Sequence, residues 1–325
     1  VAGADGLLKA RPSLDCVPSA LTIGESMSES LGDSPTTQAP AGGCGAGVNT
    51  TIQVESPRLI TPQEFAWVRA FLLERTGIEL KAGKEPMVMG RLDRRLRHHG
   101  LDTYSQYLSR LGDHDPLETQ LAIDLLTTNE TYFFREPSHF EFLAQVMRSM
   151  PPRVTPVRIW SAACSTGQEA YTIAMTLAES LPPGREWQVL GTDISSRVVE
   201  TARRGMYPIA TAETIPQHLL HAYCLKGRGE YEGFLAIDRS LASHVTFREA
   251  NLIDLPTGLG VFDVIFLRNV MIYFGIETKH ALVNQLINSL RPGGFLILSH
   301  SETLNGISTT LRTIEPSVYR RSVDD

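Results

Sequence analysis

The sequence predicts an α/β protein in which a doubly wound, mostly parallel sheet carries a small inserted β-subdomain and follows a small all-α domain. Three observations predict it. Residues 1–64 of the 325 contain no Phe, Trp or Tyr, so they can contribute little to a core. Between Thr61 and Thr127 apolar residues recur at helical spacing behind clear start signals. From Val157 onward short apolar runs alternate with helical segments, the pattern of a parallel sheet covered on both faces.

Taken in order, residues 24–50 are mostly Gly, Ser, Thr, Ala and Pro. Such a segment cannot bury enough apolar surface to offset chain entropy, so 1–56 are expected to form a disordered tail. Folding signals begin at Thr61-Pro62-Gln63-Glu64: an N-cap, a proline at the first helical position and a carboxylate in capping-box register. The helix behind it is expected to run to about Thr76, with Phe65, Val68 and Leu72 on one face and Gly77 as its stop. Helices at about 85–99, 104–111 and 116–127 follow across short loops, giving a helical domain with linker over 57–134.

The α/β domain is expected over 135–325. Its strands are VRIWSA, WQVLGTDI, VTFREANL, FDVIFLRNV and GFLILSH, with helices starting near 167 and 196. Residues 207–244 interrupt the alternation with a helical IPQHLLHAY and a glycine-punctuated KGRGEYEGFLAID that reads as a hairpin, hence the inserted subdomain. The net charge of −6 and pI near 5.9 argue against nucleic acid as partner. Cys16, Cys44, Cys164 and Cys224 are widely spaced, so neither a disulfide framework nor a metal site is expected. No apolar run approaches the roughly 18–20 residues that span a bilayer and no signal peptide is visible, so no membrane insertion and a cytoplasmic location are expected.

In open α/β sheets ligands bind beyond the carboxyl ends of the strands. Strand one ends in Ser161-Ala162-Ala163-Cys164-Ser165-Thr166-Gly167-Gln168-Glu169, a small-residue loop entering a helix. It is not GxGxxG, and Glu169 would repel a pyrophosphate; a ligand bearing an amino group suits it better. Asp193 ends strand two, where an acid commonly accepts hydrogen bonds from a ribose diol. Asn251 follows strand three, and Arg268-Asn269 form a polar pair at the end of strand four. Between the domains, Phe133 and Phe134 read as a hydrophobic staple packing on both, which leaves Asn129, Thr131 and Arg135 to be explained.

Six segments, TTNETYFFRE, WSAACSTGQEAYTIA, GTDIS, EANLID, FDVIFLRNVMIYF and RPGGFLILSHSE, resemble the successive motifs of the chemotaxis-receptor glutamate methyltransferases, the CheR family, over about 59–321. The resemblance implies a Rossmann-like methyltransferase domain that uses S-adenosylmethionine and releases S-adenosylhomocysteine. By it Asn129, Thr131 and Arg135 line the cofactor pocket, Glu169 meets the methionyl amino group, Asp193 meets the ribose, and Asn251-Leu252 with Asn269-Val270 complete the site. Arg135, Arg268 and Tyr273 would serve the reaction centre. Gln168 departs from the family, which usually has an acid there, and is expected to tune cofactor affinity.

Arg91, Arg94, Arg95 and His98 fall within an arc of about 100° on the second helix. The resemblance assigns this basic stripe to docking the Glu- and Gln-rich methylation helices in the cytoplasmic domains of methyl-accepting chemoreceptors. The reaction implied is in-line attack of a glutamate carboxylate on the sulfonium methyl, in a site dried by Tyr132, Phe133, Phe134 and Tyr273. The hairpin at 226–238 offers a strand edge to a receptor C-terminal tail. The competing readings are a methyltransferase for another protein or a small molecule, a cofactor-binding signalling module without catalysis, and, for want of a glycine fingerprint, a weakly supported dehydrogenase.

Overall fold

The computed structural model describes residues 58–323 apart from 113, 152 and 308, so the tail expected over 1–56 lies outside the described residues. Helix α1 spans Pro62–Thr76. Thr61 accepts a hydrogen bond from the Glu64 amide and the Glu64 carboxylate accepts one from the Thr61 amide, closing the capping box read from the sequence. Gly77 stops the helix at φ 74°, and a Cβ there would lie 2.6 Å from Ile253 of the other domain. Glycine thus answers both a left-handed cap and a close approach.

Helices α2 (Glu85–His98), α3 (Tyr104–Leu108) and α4 (Pro116–Leu126) follow. Val68, Leu72, Val88, Leu92, Leu96, Tyr104 and Tyr107 form their shared core. The third helix ends earlier than its sequence suggests, because the amides of Arg110 and Leu111 bond three residues back and tighten the chain into a turn. Helix α5 (Ser138–Ser149), not among the expected elements, stands between the linker and the sheet with Phe140, Leu143, Ala144 and Met147 on its buried face.

The α/β domain runs β1 (Val157–Ala162), α6 (Gln168–Ser180), β2 (Trp187–Asp193) and α7 (Ser196–Arg204). It continues through β3 (Met206–Pro208), α8 (Gln217–Tyr223), β4 (Cys224–Lys226), β5 (Phe234–Ile237) and α9 (Arg239–Ala242). Strands β6 (Val245–Glu249) and β7 (Phe262–Phe266), helix α10 (Ile276–Ser289) and strands β8 (Leu290–Ile297), β9 (Arg312–Glu315) and β10 (Val318–Arg320) complete it.

The main sheet has the order β6-β2-β1-β7-β8-β10-β9, parallel through β8 and antiparallel for the last two strands. Successive residues alternate between two cores: Ile159, Val189, Val264 and Ile297 belong to one, Trp160, Leu190, Ile265 and Leu296 to the other. That period of two, with both faces buried, is why these runs read as continuously apolar in the sequence. The chain leaves β1 toward β2 and later returns on its other side as β7, so the β1–β7 boundary is the switch point where a doubly wound sheet opens. The inserted segment is more than a hairpin: β5 is the centre of a three-stranded antiparallel sheet with β3 and β4 on either side. No helix among the described residues is long and apolar enough to cross a membrane.

Candidate active site

A cavity of about 460 Å³ opens at the carboxyl ends of β1, β2 and β7, within the size range of small-molecule sites. Its inner wall comes from the sheet, its outer wall from the 127–135 linker and the α1–α2 loop. Three bonds seat the helical domain around it: Asn251 Nδ2 donates to the Arg75 carbonyl at 2.7 Å, the Glu79 amide to the Tyr273 carbonyl at 2.8 Å, and Gln120 Nε2 to the Ile194 carbonyl at 2.8 Å. Asp124 of α4 is buried and caps α7 across the same boundary, accepting from the Ser196 amide at 3.1 Å and the Ser196 hydroxyl at 2.8 Å.

Every residue singled out for catalysis or cofactor contact lines this one cavity: Asn129, Thr131, Arg135, Glu169, Asp193, Asn251, Leu252, Arg268, Asn269, Val270 and Tyr273. They reach it because the loop after β1 is folded tightly, with Ala163 at φ 75° and Ser165 at φ 50°, and Gly167 at φ 96° packs against Ala202 of α7. The Asp193 carboxylate ties the strand ends together by accepting from the Ser165 amide at 2.8 Å and the Ser195 amide at 3.0 Å. Burial raises the pKa of Asp193 despite these bonds. Glu169 is likewise raised by burial, against the opposing pull of Arg268 and of Ser161, whose hydroxyl donates to it at 2.7 Å.

Arg268 is the hub of the floor. Only 4% exposed, it reaches Glu169 at 2.9 Å through one nitrogen and Glu136 at 3.1 Å through the other, and it also donates to the Arg135 carbonyl. Arg268, expected at the reaction centre, lines the cavity with its guanidinium engaged by these two carboxylates. Burial opposes ionisation of Glu136, yet Arg268 holds that carboxyl below its ordinary range. Behind Glu136 lies His139, pushed down to about 4 by burial and by Arg268 and therefore neutral at pH 7. Phe134 and Glu136 on either side of Arg135, and Asn269 beside Arg268, all take left-handed φ values near 57° (56°, 58° and 58°). Such backbone is costly outside glycine and persists where surrounding bonds dictate it. Glu302, buried, supplies some of them by accepting from the Asn269, Ile272 and Ser299 amides.

The outer residues are freer. Arg135 donates to the Glu130 carbonyl at 3.0 Å and lies over the Tyr132 ring at 5.7 Å, with the rest of its guanidinium toward the cavity it lines. Two of the aromatics expected to dry the site do not. Phe133 is fully buried edge-on to Tyr207 in the α/β core, and Phe134 packs on Phe140, so neither lines the cavity nor staples the two domains. Tyr132 and Tyr273 remain on the wall. The Asn251 amide is engaged with the Arg75 carbonyl and with the Ile253 amide. Gln168 faces Thr166 and does not line the cavity, so its departure from the family pattern falls outside the site.

The basic stripe on α2 divides in two. Arg91 donates to the carbonyls of Leu126 and Thr127 at 2.8 and 2.9 Å, holding the end of α4 as a cation at a helix C-terminus. Arg95 pairs with the buried Glu118 at 2.5 Å. Only Arg94 and His98 of the expected four, joined by Arg97, stand exposed. None of the stripe lines the cavity. Its rim instead carries exposed Lys81 and Lys84 from the α1–α2 loop, which sequence reasoning missed because a loop lysine has no periodicity to mark it.

The donor set fits S-adenosylmethionine. Two carboxylates suit an ammonium group and a ribose diol, and Ala163, Ile194, Leu252 and Val270 give apolar surface for a base. Two family models match in tandem: CheR methyltransferase, all-alpha domain, over residues 63–127, and CheR methyltransferase, SAM binding domain, over 129–320. The chain is 38% identical over 277 residues to a chemotaxis protein methyltransferase of Salmonella typhimurium, covering 84% of this chain and 95% of that one. It is 40% identical over 264 residues to chemotaxis protein methyltransferase 2 of Pseudomonas aeruginosa, covering 80% and 93%, and 38% identical over 285 residues to the Escherichia coli chemotaxis protein methyltransferase, covering 86% and 98%. With both domains matched and relatives aligned over nearly their whole length, the chain belongs to the CheR methyltransferase family.

Proposed function

We propose that the protein methylates glutamate side chains in the cytoplasmic domains of chemoreceptors, forming γ-glutamyl methyl esters with S-adenosylmethionine as donor. The observation that carries this reading is the pair of largely buried carboxylates Glu169 and Asp193 at the strand ends, with the Arg135 guanidinium on the linker wall between them and the open side; at the rim exposed Lys81 and Lys84 are offset by exposed Glu79 and Glu130. An acidic interior suits a cationic cofactor, and Arg135 suits an anionic side chain arriving from outside.

When bound, S-adenosylmethionine supplies an electrophilic methyl group on a sulfonium. Glu169 and Asp193 hold the charged end and the ribose, while Asn129, Thr131, Leu252, Asn269 and Val270 shape the remaining wall. A glutamate carboxylate, with a reference pKa near ~4.3, is ionised at neutral pH, so no residue need act as general base. Arg135 and Tyr273 orient the incoming carboxylate, and Tyr132 with Tyr273 exclude water around it. Exposed Arg94 and His98 on α2 attract the acidic receptor helix, which adds rate through steering more than affinity.

The three-residue edge strand β4 offers free backbone groups to which a receptor C-terminal tail would add as a further strand. Titration with a tail peptide tests this; heat of binding lost on moving to a proline-substituted peptide supports it, and no heat with any tail removes it. For the reaction itself, a receptor cytoplasmic fragment is incubated with the enzyme and methyl-labelled cofactor. Label released as methanol by mild alkali is the expected result, because a carboxyl ester hydrolyses where an N-methyl group does not. Base-stable label, or none on any receptor fragment, would contradict the proposal.

A further inference from the structure

Behind Arg268, on the side away from Glu169, three side chains converge that the cleft does not use: Glu136, His139 and His300. Glu136 lies in the turn before α5, His139 in the first turn of that helix, and His300 follows β8, so no spacing in the sequence would join all three. One ligand atom from each lies within 4.8 Å of the others, and the two imidazole rings are 4.5 Å apart.

The Ser317 hydroxyl, 2.6 Å from the Pro316 carbonyl, lies 3.2 Å from His139 Nε2 and 3.4 Å from His300 Nδ1 and so bridges the two rings on one side. His139 is 2% exposed, and its Nδ1 is a buried polar atom with no hydrogen-bond partner. It faces Glu136 Oε2 across 3.4 Å, an oxygen that also accepts from the His300 amide at 3.2 Å and pairs with Arg268. His300 Nε2 lies 3.2 Å from the Ser138 hydroxyl on the solvent side.

We propose that Glu136, His139 and His300 form a binding site for a zinc-class divalent cation, coupled to the cleft through Arg268. Two imidazoles and one carboxylate are a borderline-soft N/N/O set that suits zinc and poorly suits magnesium. Metal–ligand bonds near ~2.0–2.2 Å require the three atoms to close by roughly an ångström, which exposed His300 can supply by turning from Ser138. The metal competes with Arg268 for Glu136, so occupancy loosens the clamp on Glu169 and on the Arg135 carbonyl, and zinc acts as an inhibitor. The site stands on its own ligands; only the coupling to turnover rests on the methyl-transfer reading.

The test is equilibrium dialysis of the full chain against zinc chloride, with magnesium chloride as control, followed by metal analysis. One retained zinc per chain and no magnesium is expected, with His300→Ala lowering zinc affinity by at least about tenfold while S-adenosylhomocysteine binding measured without metal is unchanged. His300→Cys loaded with cobalt should show a thiolate charge-transfer absorption that wild type lacks, a gain of signal that a folding defect cannot mimic. No zinc retained by wild type, zinc retained equally by His300→Ala, or no new absorption in His300→Cys would each overturn the site. Zinc bound at His300 without slowing methyl transfer would overturn the coupling alone.

Discussion

A buried charge cluster in the helical domain and the one under the cleft in the α/β domain differ in completeness. In the helical domain Glu118 is 3% exposed and receives Arg95, His99 at 3.0 Å and the Tyr107 hydroxyl at 2.7 Å. Burial opposes its ionisation, but these three donors hold the carboxyl at about 2. In the α/β domain Arg268 holds two carboxylates and still leaves its Nε, and His139 Nδ1 behind it, without partners. A satisfied buried network steadies a fold; one left partly open next to a cavity marks where the molecule spends stability on function.

The largest effect that would break this comparison belongs to Arg268→Ala. It strands Glu169 and Glu136 in a buried setting, so we expect loss of about 3–5 kcal/mol in stability and loss of measurable cofactor binding, read by thermal unfolding and calorimetry. Stability lost with cofactor affinity intact would make the two clusters alike. Glu118→Ala comes next and should cost stability while leaving cofactor affinity in the folded protein unchanged.

Acid sharpens the contrast, because the shifts have opposite sign. Glu118 is lowered to about 2 in the folded state from an ordinary value of 4.5, so its contribution, on the order of 3 kcal/mol, is present above that ordinary value and lost as pH falls through about 2. Glu169 and Asp193 are raised, so their charged forms oppose folding, and that opposition is relieved as pH falls through their folded values. Cofactor affinity should therefore fall on acidification at a pH above the ordinary carboxylate range, while the helical domain stays intact. Affinity and helical-domain unfolding declining together would contradict the assignment.

Smaller effects follow at the domain boundary and the surface. Asp124→Ala leaves the start of α7 uncapped across the boundary and should cost roughly 1–3 kcal/mol, with weaker cofactor binding through the neighbouring Ile194 and Asp193, measured by unfolding and titration. Arg94→Glu with His98→Glu should raise the receptor KM by roughly two- to tenfold at low salt, an effect that fades as salt is added, and leave unfolding unchanged. Charge reversal at Arg91 or Arg95 would instead report on packing, since both are bonded inside the protein.

Much of this was legible in the sequence because it is local. Thr61 with Glu64, Gly77 and the alternating apolar strands are decided by neighbours a few residues away. The cavity residues were legible through strand ends, where topology puts ligands whatever the fold's other details. What was not legible depends on partners distant in the chain. Arg91 and Arg95 look the same as Arg94 until Leu126, Thr127 and Glu118 are brought up to them. Phe133 and Phe134 look like a staple until Tyr207 and Phe140 claim them. Helix α5 was legible in the helical spacing of Phe140, Leu143, Ala144 and Met147, though it formed no part of the expected elements; Lys81, Lys84 and the Glu136, His139 and His300 cluster carried no pattern before folding brought them together.

If Arg135 presents the glutamate carboxylate to a cofactor held by other residues, its loss should slow transfer without emptying the cofactor site. This is measured directly by base-labile methyl incorporation into a receptor fragment by Arg135→Ala at saturating cofactor, with cofactor affinity measured alongside. Turnover lower by about 100-fold or more with cofactor still bound at saturation is expected. Turnover near that of the wild type would contradict it.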